Sequence, residues 1–212
     1  MNIFRMAGDV AHIVSIIILL HSIETTQSVN GLSLKTQVLY TIVFISRYLD
    51  LFYRYISLYN SFMKVFYISS SIYTVYLIAN KYNKSIKEHV DNFEVKYLLG
   101  PSFILGFLFN YGFTLPEILW SFSLWLEAVA ILPQLFMLQK TGEAEVLTTH
   151  YIFALGLYRA LYIPNWFYRY FAEDKFDKLA VLTGIIQTVI YSDFFYIYYK
   201  SAFKGKKFKL PV

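Results

Sequence analysis

Residues 3–22 read IFRMAGDVAHIVSIIILLHS. Twenty residues rising 1.5 Å each make a helix of about 30 Å, the thickness of the hydrocarbon core of a bilayer. The run Ile13 to Leu20 is apolar apart from Ser15, yet Arg5, Asp9 and His12 precede it at spacings that put all three on one helical face. A secretory leader ends in a small-residue cleavage pattern. No such pattern follows Leu20, so 3–22 reads as a retained first membrane span that carries polar groups.

Composition extends that reading to the whole chain. Of 212 residues, 57% are apolar and 16% charged, against about 45–50% and about 25% in soluble domains; the mean hydropathy is +0.47. Apolar runs between turn and charge clusters predict spans near 3–22, 35–53, 60–79, 96–111, 115–138, 146–170 and 178–199. Seven spans consume about 140 residues, which leaves short loops and no room for an appended soluble domain. The expected fold is an all-α membrane protein of seven transmembrane helices.

Absences narrow the chemistry. With no cysteine there is no disulfide, thiol nucleophile or cysteine-held metal. His-Glu-x-x-His, phosphate-binding glycine loops and Gly-x-Ser-x-Gly are missing, and span seven has no mid-membrane lysine for a Schiff base. The chain reads as a non-enzyme without cofactor or metal, and as no nucleic-acid binder.

Lysine and arginine set the orientation, because the cytosolic side carries their excess. With the N-terminus outside the cytosol, Lys35, Lys81, Lys84, Lys87, Lys96, Lys140, Lys200, Lys204, Lys206, Lys207 and Lys209 are cytosolic, against Arg54, Lys64, Arg169, Lys175 and Lys178 opposite. The sequon Asn83-Lys84-Ser85 then faces the cytosol and stays unmodified. Gly31 followed by Arg47-Tyr48 echoes Gly142 followed by Tyr158-Arg159. The echo suggests two three-helix units, 3–79 and 115–199, joined by the span 96–111, with 200–212 a basic cytosolic tail; small transporters share this parallel-repeat plan.

A charge at mid-bilayer costs about 2.5–3.5 kcal/mol, and this chain has many near or within spans: Arg5, Asp9, His12, Arg47, Asp50, Glu117, Glu127, Arg159, Arg169 and Asp193. Arg47 and Asp50 are expected on one face of the second helix. In span six, Tyr158, Tyr162, Trp166 and Arg169 form a continuous aromatic and cationic stripe. Arg5, Arg47 and Arg169 all lie toward the non-cytosolic ends, where guanidinium forks lining a cleft would match carboxylates. Glu117 and Asp50 near the same end would accept a cation, so the ligand has several negative charges and at least one positive. His12, with an unperturbed pKa near 6.5, would make an anionic ligand bind more tightly as pH falls.

The runs Met1-Asn2-Ile3-Phe4-Arg5, Ser46-Arg47-Tyr48-Leu49-Asp50-Leu51-Phe52, Leu126-Glu127-Ala128-Val129-Ala130-Ile131-Leu132-Pro133-Gln134-Leu135, Lys140-Thr141-Gly142-Glu143-Ala144-Glu145, Thr148-Thr149-His150-Tyr151, Gly156-Leu157-Tyr158-Arg159-Ala160-Leu161-Tyr162 and Lys204-Gly205-Lys206-Lys207 resemble the KDEL receptor family over essentially the full chain. The resemblance implies a fold similar to the SWEET and PQ-loop proteins. It also implies a receptor that captures C-terminal Lys-Asp-Glu-Leu or His-Asp-Glu-Leu signals of escaped luminal proteins in the Golgi and releases them in the neutral endoplasmic reticulum.

By that resemblance Arg47, beside Tyr48, would hold the terminal carboxylate, and Arg5 and Arg169 the two acidic side chains. Glu117 with Asp50 would take the cation four from the end, Trp120 and Trp166 would offer aromatic faces, and Tyr162 a hydroxyl. His12 would sense protons, with Glu127, Tyr158 and Arg159 as its polar network. Lys204, Lys206 and Lys207 would engage the retrograde vesicle coat, coat protein complex I, while Glu143 and Glu145 would belong to a forward-export surface and Asp193 to transport. The basic tail would equally suit anionic membrane lipids. Lys209 stands where many relatives carry a phosphorylatable serine, and Pro164 is expected to kink span six. The rival reading is a transporter of a small, amino-acid-like solute on the same fold.

Overall fold

The computed structural model describes residues 2–83, 91–141, 146–174 and 176–204, leaving aside the side chains of 141, 146–148, 197, 198 and 200–204. Within them the chain is helical and has no strand: α1 (Ile3–Thr26), α2 (Leu34–Arg47), α3 (Leu58–Tyr76), α4 (Lys96–Leu108), α5 (Leu115–Val129), α6 (Leu132–Thr141), α7 (Val146–Glu173) and α8 (Lys178–Lys204). With α5 and α6 as two parts of one span, these are the seven expected segments. Among the described residues, four stretches are long and apolar enough to cross a bilayer on their own: Ile3–Thr26, Leu58–Lys81, Leu115–Lys140 and Lys178–Tyr196.

Local chemistry sets the helix ends. Asn2 caps α1 by accepting from Arg5 N at 2.9 Å, Ser33 caps α2 through Thr36 N, and Ser57 caps α3 through Asn60 N; each satisfies a first-turn N–H that has no intrahelical acceptor. Glu117 sits in the first turn of α5, where the positive end of the helix dipole favours an acid. Past α1 the chain turns through Gln27 and Gly31 at positive φ.

Three boundaries depart from the sequence expectation. The second span is not one helix over 35–53: α2 stops at Arg47, and Leu49–Phe52 forms a separate 3-10 turn. The fifth is interrupted at Ala130 and Ile131, because Pro133 has no N–H for the carbonyl four residues earlier and its ring crowds that carbonyl. The third ends in a π turn, Leu77–Lys81, closed by Tyr82 N donating to Leu77 O at 2.9 Å. Pro164, by contrast, lies inside an uninterrupted α7.

The chain divides into two compact units, one of residues 1–31 and 138–212 and the other of residues 32–137. In the first, α7 packs against α1 and α8, around Leu19, Ile23, Ile152, Leu155, Tyr191 and Phe194. In the second, α2 packs against α3 and α5, and α4 against α5, around Leu39, Val43, Phe44, Tyr67, Phe122 and Leu126. A buried polar clamp ties the start of α2 to α6: Ser33 N donates to Gln134 Oε1 at 2.8 Å and Gln134 N donates to Thr36 Oγ1 at 3.0 Å. Ser33 Oγ donates to Asp91 at 3.0 Å, so every polar group in the clamp has its partner. These units are defined by compactness, and the repeat inferred from the sequence echo is a statement about chain order.

Candidate functional site

In the unit built on α1, α7 and α8, helical spacing delivers the stripe the sequence implied. His12 stacks on Tyr158 with ring centroids 4.1 Å apart and planes 5° from parallel. Tyr158 meets Tyr162 edge to face, and Tyr162 meets Trp166 at 6.2 Å. One turn separates each α7 aromatic from the next, which is why the ladder is continuous. His12, Tyr158 and Arg159 are buried together. The Arg159 guanidinium lies over the Tyr158 ring at 4.9 Å and donates from Nη2 to the Tyr158 hydroxyl at 2.9 Å, a cation–π contact and a hydrogen bond on one residue. A proton arriving on His12 would place a second cation against the same electron-rich ring.

Asp9 joins α1 to this stripe: the Tyr162 hydroxyl donates to Asp9 Oδ1 at 2.5 Å, and Arg5 Nε lies 3.9 Å from Asp9 Oδ2. Arg5, partly exposed, thus has a carboxylate beside it one helical turn away. Gly8 allows the approach, because a Cβ there would come within 2.7 Å of the Tyr162 ring. Nearby, Asn2 Nδ2 donates to the buried Asn165 Oδ1 at 2.8 Å. Arg169 closes the stripe, half-exposed, with Nε donating to Glu173 at 3.3 Å.

The unit built on α2 to α5 holds a second set of charges. Arg47, the last residue of α2, places Nη1 2.6 Å from Glu127 Oε2. Its Nε donates to Ser123 Oγ and its Nη2 to the Ser123 carbonyl, both at 3.0 Å. Three of its donors are therefore engaged on one face of α5, a fixed orientation that only the planar guanidinium fork can adopt. Glu127 side-chain exposure is 1% and that of Arg47 14%. Asp50, in the 3-10 turn, accepts from Lys64 Nζ at 2.6 Å, while its Oδ1 is buried and accepts no hydrogen bond among the described residues. Tyr48, Phe44 and Tyr67 form a three-ring cluster with centroids 5.3 to 6.3 Å apart. Glu117 is exposed at the start of α5, and Trp120, one turn on, lies 6.0 Å from the ring of Tyr111.

Comparison with known proteins adds a decisive observation. Residues 28–169 match the family model described as ER lumen protein retaining receptor. The chain is 58% identical to the ER lumen protein-retaining receptor of Kluyveromyces lactis, over all of this chain and 99% of that protein. The chain belongs to the ER lumen protein-retaining receptor family. It is 54% identical to the human ER lumen protein-retaining receptor 2 and 52% identical to the Drosophila melanogaster receptor, in both cases across the full length of both chains. A member of this family is a multi-pass membrane receptor and not an enzyme.

Against this family background several site expectations change in detail. Arg47 and Asp50 do not share a helical face, because α2 ends at Arg47; Arg47 turns to α5 and Asp50 to α3. Lys64, counted in the sequence among cations outside the spans, is buried in α3. A charge within a predicted apolar run requires a counter-charge, and that signal would have found the Lys64–Asp50 pair. Glu127, which the resemblance places in the polar network of His12, also pairs with Arg47; nothing in the spacing marks a pair 80 positions apart. Ser123 as a partner of the Arg47 guanidinium, and Asp9 as the acceptor of the Tyr162 hydroxyl, were missed. Asp193 is exposed on α8. Glu143, Glu145, Lys206 and Lys207, with the side chain of Lys204, lie outside the described residues.

Proposed function

We propose that this chain is a retrieval receptor that binds C-terminal Lys-Asp-Glu-Leu or His-Asp-Glu-Leu signals of soluble luminal proteins, more tightly in the acidic Golgi than in the neutral endoplasmic reticulum. Membership of the family supports the ligand class. The observation that carries the mechanism is the α7 stripe, with His12 stacked on Tyr158 at one end and Trp166 and Arg169 at the other.

In this reading Arg47, with Tyr48, receives the terminal carboxylate, Arg5 and Arg169 the two acidic side chains, and Glu117 with Asp50 the cation four from the end; Trp120 and Trp166 face it, and Tyr162 supplies a hydroxyl. The internal carboxylates already beside Arg5, Arg47 and Arg169 make capture an exchange of partners. Ligand carboxylates replace Asp9, Glu127 and Glu173, and little net charge is buried. Asp50 is already paired with Lys64, so the exposed Glu117 is the stronger partner for the ligand's cation. Protonated His12, with Tyr158, Arg159 and Glu127, favours the ligand-bound arrangement, and affinity rises as pH falls through the ordinary range of histidine.

The N-terminus is luminal and the C-terminus cytosolic. The two three-helix units 3–79 and 115–199, linked by 96–111, carry the fold's internal symmetry. Lys204, Lys206 and Lys207 bind the retrograde coat, Glu143 and Glu145 contribute to forward export, and Asp193 serves transport. The deciding experiment is binding of a peptide ending in His-Asp-Glu-Leu to the purified protein at mildly acid and at neutral pH. Tighter binding in acid, and poor binding of the C-terminally amidated peptide, are expected. Absence of binding, or equal affinity at both pH values, refutes the reading.

A further inference from the structure

We infer that Gly184 on α8 is a positioning residue that seats the Trp166 indole, and so sets signal affinity without contacting the signal. The inference rests on the proposed role of Trp166 as an aromatic face for the ligand. Trp166 is buried, although it lies one turn from the half-exposed Arg169 on α7. Its burial has a specific cause: the outer edge of the indole, at Cη2, points at Gly184. A Cβ at 184 would come 2.0 Å from Trp166 Cη2 and 2.9 Å from both Cζ2 and Cζ3. Real side-chain carbons do not approach below about 3 Å, so any other residue at 184 must move the indole.

The colliding atoms all belong to the six-membered ring, the part of tryptophan that phenylalanine lacks at that distance from the backbone. Tyr162 lies beside the indole, at 6.2 Å between centroids and 60° between planes, and is held in turn by Asp9. A Cβ at 184 would push the indole back in its own plane and shift it against Tyr162, out of its place in the stripe. Gly184 needs no unusual backbone conformation, since it lies inside α8. In a helix interior glycine costs about 1 kcal/mol relative to alanine, and that cost is intelligible when the missing Cβ is what the ring requires.

The test is a double-mutant cycle in the full chain, read by peptide affinity at mildly acid pH and by 19F spectra of protein labelled with 5-fluorotryptophan. The chain has three tryptophans, and the Trp166 resonance is the one lost in Trp166→Phe. Gly184→Ala is expected to shift that resonance alone. It should also weaken a His-Asp-Glu-Leu peptide roughly tenfold, the scale of a lost cation–π contact, with less than a twofold further effect in the Trp166→Phe background. An unshifted resonance overturns the seating. A shifted resonance with unchanged affinity, where Trp166→Phe does weaken binding, overturns the positioning role; so does an equal loss from Gly184→Ala in both backgrounds. Failure of the unmodified protein to bind any such peptide refutes the functional reading and the positioning role with it, while the resonance shift decides the seating without a ligand.

Discussion

Replacing Arg47 by glutamine tests two things at once, and a second substitution separates them. Arg47 and Glu127 are 2.6 Å apart, with side-chain exposures of 14% and 1%. Removing one partner of a buried ion pair leaves the other charge uncompensated and costs about 3–5 kcal/mol. For a chain of this size each kcal/mol lowers the melting temperature by about 2–4 °C, so Arg47→Gln should melt roughly 6–20 °C lower. Adding Glu127→Gln removes the stranded carboxylate, and replacement of a whole buried pair is often close to neutral; the double variant should recover most of the loss. Thermal unfolding of ligand-free protein in detergent reads this directly. Peptide affinity reads the other half. If Arg47 receives the terminal carboxylate, the refolded double variant still binds at least roughly thirtyfold more weakly, the lower end for truncating a buried charge pair. The reasoning fails if Arg47→Gln melts within 2 °C of the unmodified protein, or if the double variant is as unstable as the single. Unchanged affinity in the double variant would assign the carboxylate to another residue.

Three further outcomes are expected. His12→Ala should abolish the acid enhancement of peptide binding if the imidazole stacked on Tyr158 is the proposed proton sensor; enhancement of full size in a titration from pH 5.5 to 7.5 would place the sensor elsewhere. Tyr162→Phe deletes the donor to Asp9, a bond to a charged acceptor worth about 1.5–3 kcal/mol, and a melting curve that does not move would show that the bond contributes nothing. Substituting Lys204, Lys206 and Lys207 should leave peptide affinity intact while redistributing the protein between compartments, as seen by imaging in cells. A fall in affinity would contradict their assignment to coat binding.

Legibility from sequence followed physical range. Hydropathy found the seven helical segments, because apolar runs between turn and charge clusters mark them along the chain. Helical spacing found the Arg5–Asp9 pair and the Tyr158, Tyr162, Trp166 stripe, since residues three and four apart must share a face. The end of α2 at Arg47 escaped because Tyr48-Leu49-Asp50 carries no proline or glycine to mark it. The attachment of Arg47 to Ser123 and Glu127, and of Lys64 to Asp50, escaped because pairing between helices depends on packing that no local pattern encodes.

The π turn at Leu77–Lys81 bears on how this helix tolerates change in length. Its wider ring holds one residue more than a regular turn requires. Deleting a residue of α3 ahead of Lys64 would rotate all that follows by about 100° and carry Lys64 and Tyr67 off their partners. Deleting one between Leu77 and Lys81 instead lets the turn tighten to ordinary α geometry and leaves Leu58–Tyr76 in register. The surplus residue makes the end of α3 a place where this receptor can lose a position without disturbing the pair that Lys64 forms with Asp50.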